Sequence, residues 1–100
     1  MGRFMVSAEH NVVELPAVLD LDAIETLRDS LQEAIERGPV TVNSAAVERV
    51  STNALFMLLS AAETARRYES QFVVAAATEP VKAAIARLGL SSEFAGLLKG

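Results

Sequence analysis

Val40 to Leu59 reads VTVNSAAVERVSTNALFMLL. Behind Pro39 its first four residues form a short strand bounded by small side chains. From about Thr52 the apolar residues change period: Leu55, Leu58, Leu59, Ala62 and Ala65 recur three and four apart, the inner stripe of a helix ending near Tyr68. Asn53, Phe56, Ser60, Glu63 and Arg67 fall on the opposite side. Ser51, Thr52 and Asn53 lie at the join. A hydroxyl there caps a helix, and it also stands beside orphan N–H groups and the positive helix end, a place that suits a phosphate.

The same alternation extends both ways. Residues 4–8 and 11–15 are short segments of β-branched character separated by Glu9-His10; Val12–Leu15 reads as a strand, the pair could form a hairpin, and Pro16 ends the second segment. Ile24, Leu27, Leu31, Ala34 and Ile35 set a helix between Asp20 and Gly38. Asp22 and Glu25 have capping-box form, and Gly38-Pro39 supplies the stop. Phe72 to Ala77 is an apolar run that suits a covered strand. Thr78 then opens a helix with Pro80 in its first turn and Val81, Ala84, Ile85 and Leu88 as its stripe, ended by Gly89. Ser92–Leu98 reads as a last short helix burying Phe94 and Leu97 or Leu98. The order β-β-α-β-α-β-α-α implies mostly parallel pairing through right-handed crossovers, an α/β fold in one domain spanning residues 1–100.

Composition narrows the function. With 51% hydrophobic and 22% charged residues, the chain is built to fold around a core. The net charge is −4 and the only adjacent basic pair is Arg66-Arg67, against the clustered positive charge that nucleic acid or an anionic membrane surface requires. There are no cysteines, hence no disulfide, thiolate or Cys-based zinc chemistry. No apolar run approaches the roughly 20 residues of a membrane span. The N-terminal MGRFMV lacks a secretory pattern, so the expected location is the cytoplasm.

Three stretches carry a resemblance. LDLDAIETLR (Leu19–Arg28), VERVSTNALFMLL (Val47–Leu59) and ARLGLSSEF (Ala86–Phe94) resemble, in order and spacing, the motifs of STAS domains, the family of bacterial anti-sigma-factor antagonists. The resemblance covers about residues 11–98. It implies a mixed sheet of four or five strands with helices mainly on one face, in agreement with the order above. In sporulation and stress-response members a Ser or Thr in the central motif is phosphorylated by a partner kinase that is itself the anti-sigma factor, and the unphosphorylated form binds that kinase and releases sigma. The matching position is Thr52, with Asp20, Ser51, Asn53 and Phe56 as the implied partner contacts.

Two departures stand in the motif. Ser51 occupies the position where the family usually has Asp, and Ala54 that of a common Gly. The LPAVLDL string also resembles STAS proteins found with chemotaxis genes, where the phospho-acceptor is often lost. The leading expectation is a non-enzymatic regulator that docks a serine/threonine kinase-type anti-sigma factor, with Thr52 as both helix cap and candidate switch. The alternative within the family is a constitutive adaptor in a chemotaxis assembly or a lipid-transport ABC complex. A homodimer stays open.

An enzyme is the rival from another class. Ser44, Ser51 and Asn53 could suggest a hydrolase, but the single histidine, His10, reads as a solvated turn residue. Asp20, Asp22 and Asp29 could suggest a metal site, yet Asp22 reads as a cap and Asp29 as helix surface. No glycine-rich phosphate loop is present, so neither nucleotide cofactor nor metal is expected. Arg66 and Arg67 fit the negative end of their helix. For Phe56 two readings stand: an exposed interface anchor, or a side chain buried against the preceding loop.

Overall fold

The computed structural model describes residues 11–99. In chain order the elements are β1 (Val12–Glu14), β2 (Val18–Leu19), α1 (Leu21–Arg37), β3 (Val40–Asn43), β4 (Arg49–Val50), α2 (Thr52–Arg67), β5 (Phe72–Ala75), α3 (Glu79–Arg87), α4 (Ser91–Ala95) and β6 (Leu98–Lys99). The main sheet has the order β1-β3-β5-β6, with every pairing parallel. The segment 4–8, expected to pair with the first strand, lies outside the described residues.

Period-2 alternation sets the two faces of this sheet. Val40, Val42, Phe72 and Val74 are buried, whereas Thr41, Asn43, Val73 and Ala75 on the other face are only partly so. The buried face joins Leu27, Leu31 and Ile35 of α1, Leu55 and Leu58 of α2, and Val81 and Ile85 of α3 in a single cluster. The helices therefore cover one face, as the one-sided stripes predict. Each crossover carries the chain up a strand and back along a helix, so α1 and α2 run side by side in the same direction.

Several local expectations are corrected. The N-cap of α1 is Asp20 rather than Asp22: its carboxylate accepts from the Ala23 N–H at 3.1 Å, and Asp22 takes a place in the first turn. Thr78 is the N-cap residue of α3 by position, but its hydroxyl donates to the Val47 carbonyl at 2.8 Å and ties the helix to the loop before β4. Leu88 is 38% exposed because α3 ends at Arg87, one residue before it. The last helix stops at Ala95, and Leu98 is not on it: Leu98 and Lys99 extend along Val74 and Ala75 as a fourth strand. The helix gives way at Gly96, and Leu97 offers its carbonyl to the Val74 N–H at 2.7 Å, so sheet pairing replaces the helical bond.

Gly38 closes α1 at φ 143, a conformation that a side chain would strain. Among the described residues every buried side-chain nitrogen and oxygen has a hydrogen-bond partner, including Asn11, whose amide donates to the Ala34 carbonyl at 2.6 Å. Among the same residues no helix is long and apolar enough to cross a membrane.

Candidate functional site

A two-residue ladder builds the site. β2 pairs β4 in parallel, Val18 with Arg49 and Leu19 with Val50, and the Ser51 N–H continues the pairing by donating to the Leu19 carbonyl at 3.0 Å. Each of these strands feeds straight into a helix. The ladder therefore places the N-terminus of α1, capped by Asp20, beside the N-terminus of α2, capped by Ser51. Two positive helix ends share one surface.

The caps differ in chemistry. Asp20 brings a full charge to α1, and Asp22 adds a second acid in its first turn. Ser51 brings a neutral hydroxyl, extended at φ −84 and ψ 160, whose oxygen accepts from the Ala54 N–H at 3.1 Å. No acid follows in the first turn of α2, so this helix end keeps more of its positive character.

Thr52 is not the cap. It is the first residue of α2, exposed, while the adjacent Ser51 has the extended backbone that turns a side-chain oxygen onto the third helical N–H. The two candidate roles thus fall on different residues. Ser51→Ala is expected to cost about 1 kcal/mol through the lost cap, and Thr52→Ala no more than about 0.5 kcal/mol as a surface change. Urea titration of both variants checks the order; an equal or larger loss at Thr52 contradicts the assignment.

Asn53 is exposed one position further on, and Phe56 is 49% exposed a turn after Thr52. Phe56 is therefore not buried against the preceding loop. Leu21, at the first position of α1, is 65% exposed. Phe56 and Leu21 both line a groove of about 670 Å³ between α1 and α2, which continues past Met57 and Ser60 to Thr64. Leu21 was not legible as a surface residue because it precedes the regular stripe of α1; an apolar residue directly after an N-cap was the available signal.

The residues weighed for catalysis and metal binding are employed elsewhere or apart. Ser44 is 1% exposed and donates to the Ala75 carbonyl at 2.8 Å, locking the end of β3 to the end of β5. Asn43, beside Ser44, donates from its side-chain amide to Glu14 at 3.0 Å across β1 and β3, and its Oδ1 accepts from the Ala45 N–H at 3.0 Å. Asp20 is a cap, Asp22 and Asp29 are exposed on α1, and His10 lies outside the described residues. The arginine pair sits in the last turn of α2, where Arg66 meets Glu63 at 2.7 Å in an exposed pair of small energetic weight.

Among known families, the one described as "Mlab, STAS domain" fits residues 4–99. The chain belongs to the STAS family. No curated protein sequence matches it. The STAS match covers nearly all of the chain and agrees with the parallel α/β architecture. It also supplies the coarse role of such domains, which is regulatory and protein-binding. In this STAS domain, the surface that carries Asp20, Ser51, Thr52, Asn53 and Phe56 is formed by the two joined helix N-termini.

Proposed function

We propose that this STAS domain is a regulatory docking module without catalysis of its own, which binds a protein partner through the joined N-termini of α1 and α2. The observation that carries this reading is the separation of duties at the start of α2. Ser51 holds the cap, so the exposed Thr52 hydroxyl is spared for contact or modification without loss of the helix. A phosphate on Thr52 adds about −1.5 to −2 charge at a helix end that tolerates it, changing the surface while leaving the fold intact. Asp20, capping the neighbouring helix, then shares its surface with a second negative group. Such a switch fits a partner of the serine/threonine kinase type, as in the anti-sigma systems that the motifs resemble, acting in the cytoplasm.

A second reading is a constitutive adaptor in a chemotaxis or transport assembly. Ser51 favours it: with a serine in place of the usual aspartate, and that serine already engaged as a cap, no carboxylate directly precedes the acceptor. In this case the same surface docks the partner permanently and Thr52 is a contact only.

Thr52→Glu separates docking from mere capping. A carboxylate suits the helix N-terminus, so stability is expected to stay within about 0.5 kcal/mol of wild type. Binding to the partner captured by the wild-type protein is expected to fall about tenfold, since the new charge must be desolvated in the interface. Unchanged capture by Thr52→Glu removes Thr52 from the interface. Mass spectrometry of the protein from its own cells decides between the two readings: phosphate at Thr52 selects the switch, and its absence in all growth conditions selects the adaptor.

A further inference from the structure

We propose that the groove between α1 and α2 receives a basic amphipathic helix of the protein partner. This rests on the docking reading above and names the chemistry of what docks. Both walls are helical stripes of the right period. α1 contributes Leu21, Glu25, Arg28 and Gln32, and α2 contributes Asn53, Phe56, Ser60 and Thr64, each set spaced by threes and fours. The groove lining on α1 runs from Leu21 to Ile35, about 21 Å at the helical rise, the length of a four-turn helix.

The groove changes character along its length. At the N-terminal end the half-exposed Leu21 and Phe56 stand above Ile24 and Met57, an open apolar mouth for large aliphatic anchors. Further along, Ser60, Ala61 and Thr64 make a low floor on α2 that lets a third backbone approach closely. A helix with apolar residues at i, i+3, i+4 and i+7 satisfies both parts at once.

Charge selects which helix. Along α1, Asp22, Glu25, Asp29, Glu33 and Glu36 outnumber Arg28 and Arg37, whereas α2 carries only Glu63, Arg66 and Arg67. Of these only Glu25 and Arg28 line the groove itself. Asp22, Asp29 and Glu36 stand one turn from Glu25 or Gln32, so the outer flank of α1 beside the groove is acidic and that of α2 nearly neutral. A helix bearing Lys or Arg on the flank facing α1 is attracted and oriented. A second copy of this domain brings the same net charge of −4 and is repelled, as is an anionic lipid surface.

The test uses a fluorescein-labelled synthetic peptide of about five helical turns, leucine in the i, i+3, i+4, i+7 stripe and lysine elsewhere. Two controls accompany it: glutamate in place of every lysine, and the same leucine and lysine content with the stripe shuffled. Anisotropy with the full chain is expected to show binding of the striped lysine peptide, at least about tenfold tighter than either control. Ser60→Trp, which fills the groove at an exposed position without altering charge, is expected to weaken this binding at least about tenfold, as is Leu21→Asp. The Leu21→Asp loss is diagnostic because added negative charge strengthens any non-specific attraction to lysine. Ala83→Asp on the exposed side of α3 leaves affinity unchanged or raises it. Gln32→Trp replaces Ser60→Trp should the latter lose its native circular dichroism. Equal binding of the shuffled or glutamate peptide, or unchanged affinity in the folded tryptophan variant and in Leu21→Asp, overturns the proposal. Self-association of the wild type that the tryptophan variant abolishes also overturns it, in favour of a second copy. Should these peptide results fail while Thr52→Glu still weakens partner capture, only the helical occupant is refuted and the docking reading stands.

Discussion

Phe94→Ala is expected to destabilise the domain by about 3–5 kcal/mol, a large share of the roughly 5–15 kcal/mol available to a chain of this size. Phe94 is 0% exposed although its helix, α4, has only five residues and no side-chain cap. Neither helix propensity nor capping can hold so short a segment; the buried ring does. The same ring anchors the C-terminal strand. Leu97 and Leu98 reach β5 directly after α4, and β6 is a two-residue strand that depends on that approach. Truncation thus leaves a cavity and loosens the edge of the sheet together. A fall in melting temperature of roughly 15–30 °C is expected in scanning calorimetry or circular dichroism. Leu88→Ala, at a 38% exposed leucine in the same stretch, serves as comparison and is expected to cost less than about 1 kcal/mol. A loss below about 1 kcal/mol at Phe94 contradicts its role as the anchor of the C-terminal segment.

Phe56→Ala is expected to act in the opposite manner, sparing the fold and removing the partner. The side chain is half exposed on the wall of the groove, one turn from Thr52, and its neighbours Leu55 and Met57 carry the burial of that turn. Truncation should change stability by less than about 1 kcal/mol. On the proposed docking reading the ring is an aromatic anchor for the partner, so its removal should weaken partner binding by about 2 kcal/mol or more, roughly thirtyfold. Surface plasmon resonance with the captured partner reads this as a faster off-rate. Wild-type affinity in a folded Phe56→Ala variant shows that the partner docks elsewhere.

How much of the fold is legible in the chain depends on how far each signal reaches. The α1 stripe is complete in the sequence, since Ile24, Leu27, Leu31, Ala34 and Ile35 are its buried residues, and Gly38 ends it at a backbone angle suited to glycine. β3 is legible because VTVN alternates over its four residues, and β5 as an apolar run, although it ends at Ala75 rather than Ala77 because Ala76 turns to φ 58. β2, β4 and β6 have two residues each, too few to display any period, and they exist through pairings 24 to 31 residues away in sequence. Leu98 reads as helix because it lies four residues after Phe94, a spacing that helical and non-helical contacts share. At the start of α2, Ser51 and Thr52 are both good caps, and only the backbone angle of Ser51 decides between them. That Leu21 and Phe56 line one groove arises from two crossovers laid side by side, which no local pattern encodes.

Hydrogen–deuterium exchange of the domain, free and bound to its captured partner, tests the docking surface most directly. The first backbone N–H groups of a helix have no intrahelical acceptor and exchange fast unless something covers them. Thr52 and Asn53 in α2, and Leu21 and Asp22 in α1, are such groups. Partner binding is expected to slow their exchange together, at least about tenfold, with further protection at Phe56 and Met57. Amides of β1 and β5, at Val12 and Val73 whose side chains lie on the outer face of the sheet, should be unchanged. Protection confined to the outer sheet face, with the starts of α1 and α2 exchanging as in the free domain, would contradict docking through the joined helix N-termini.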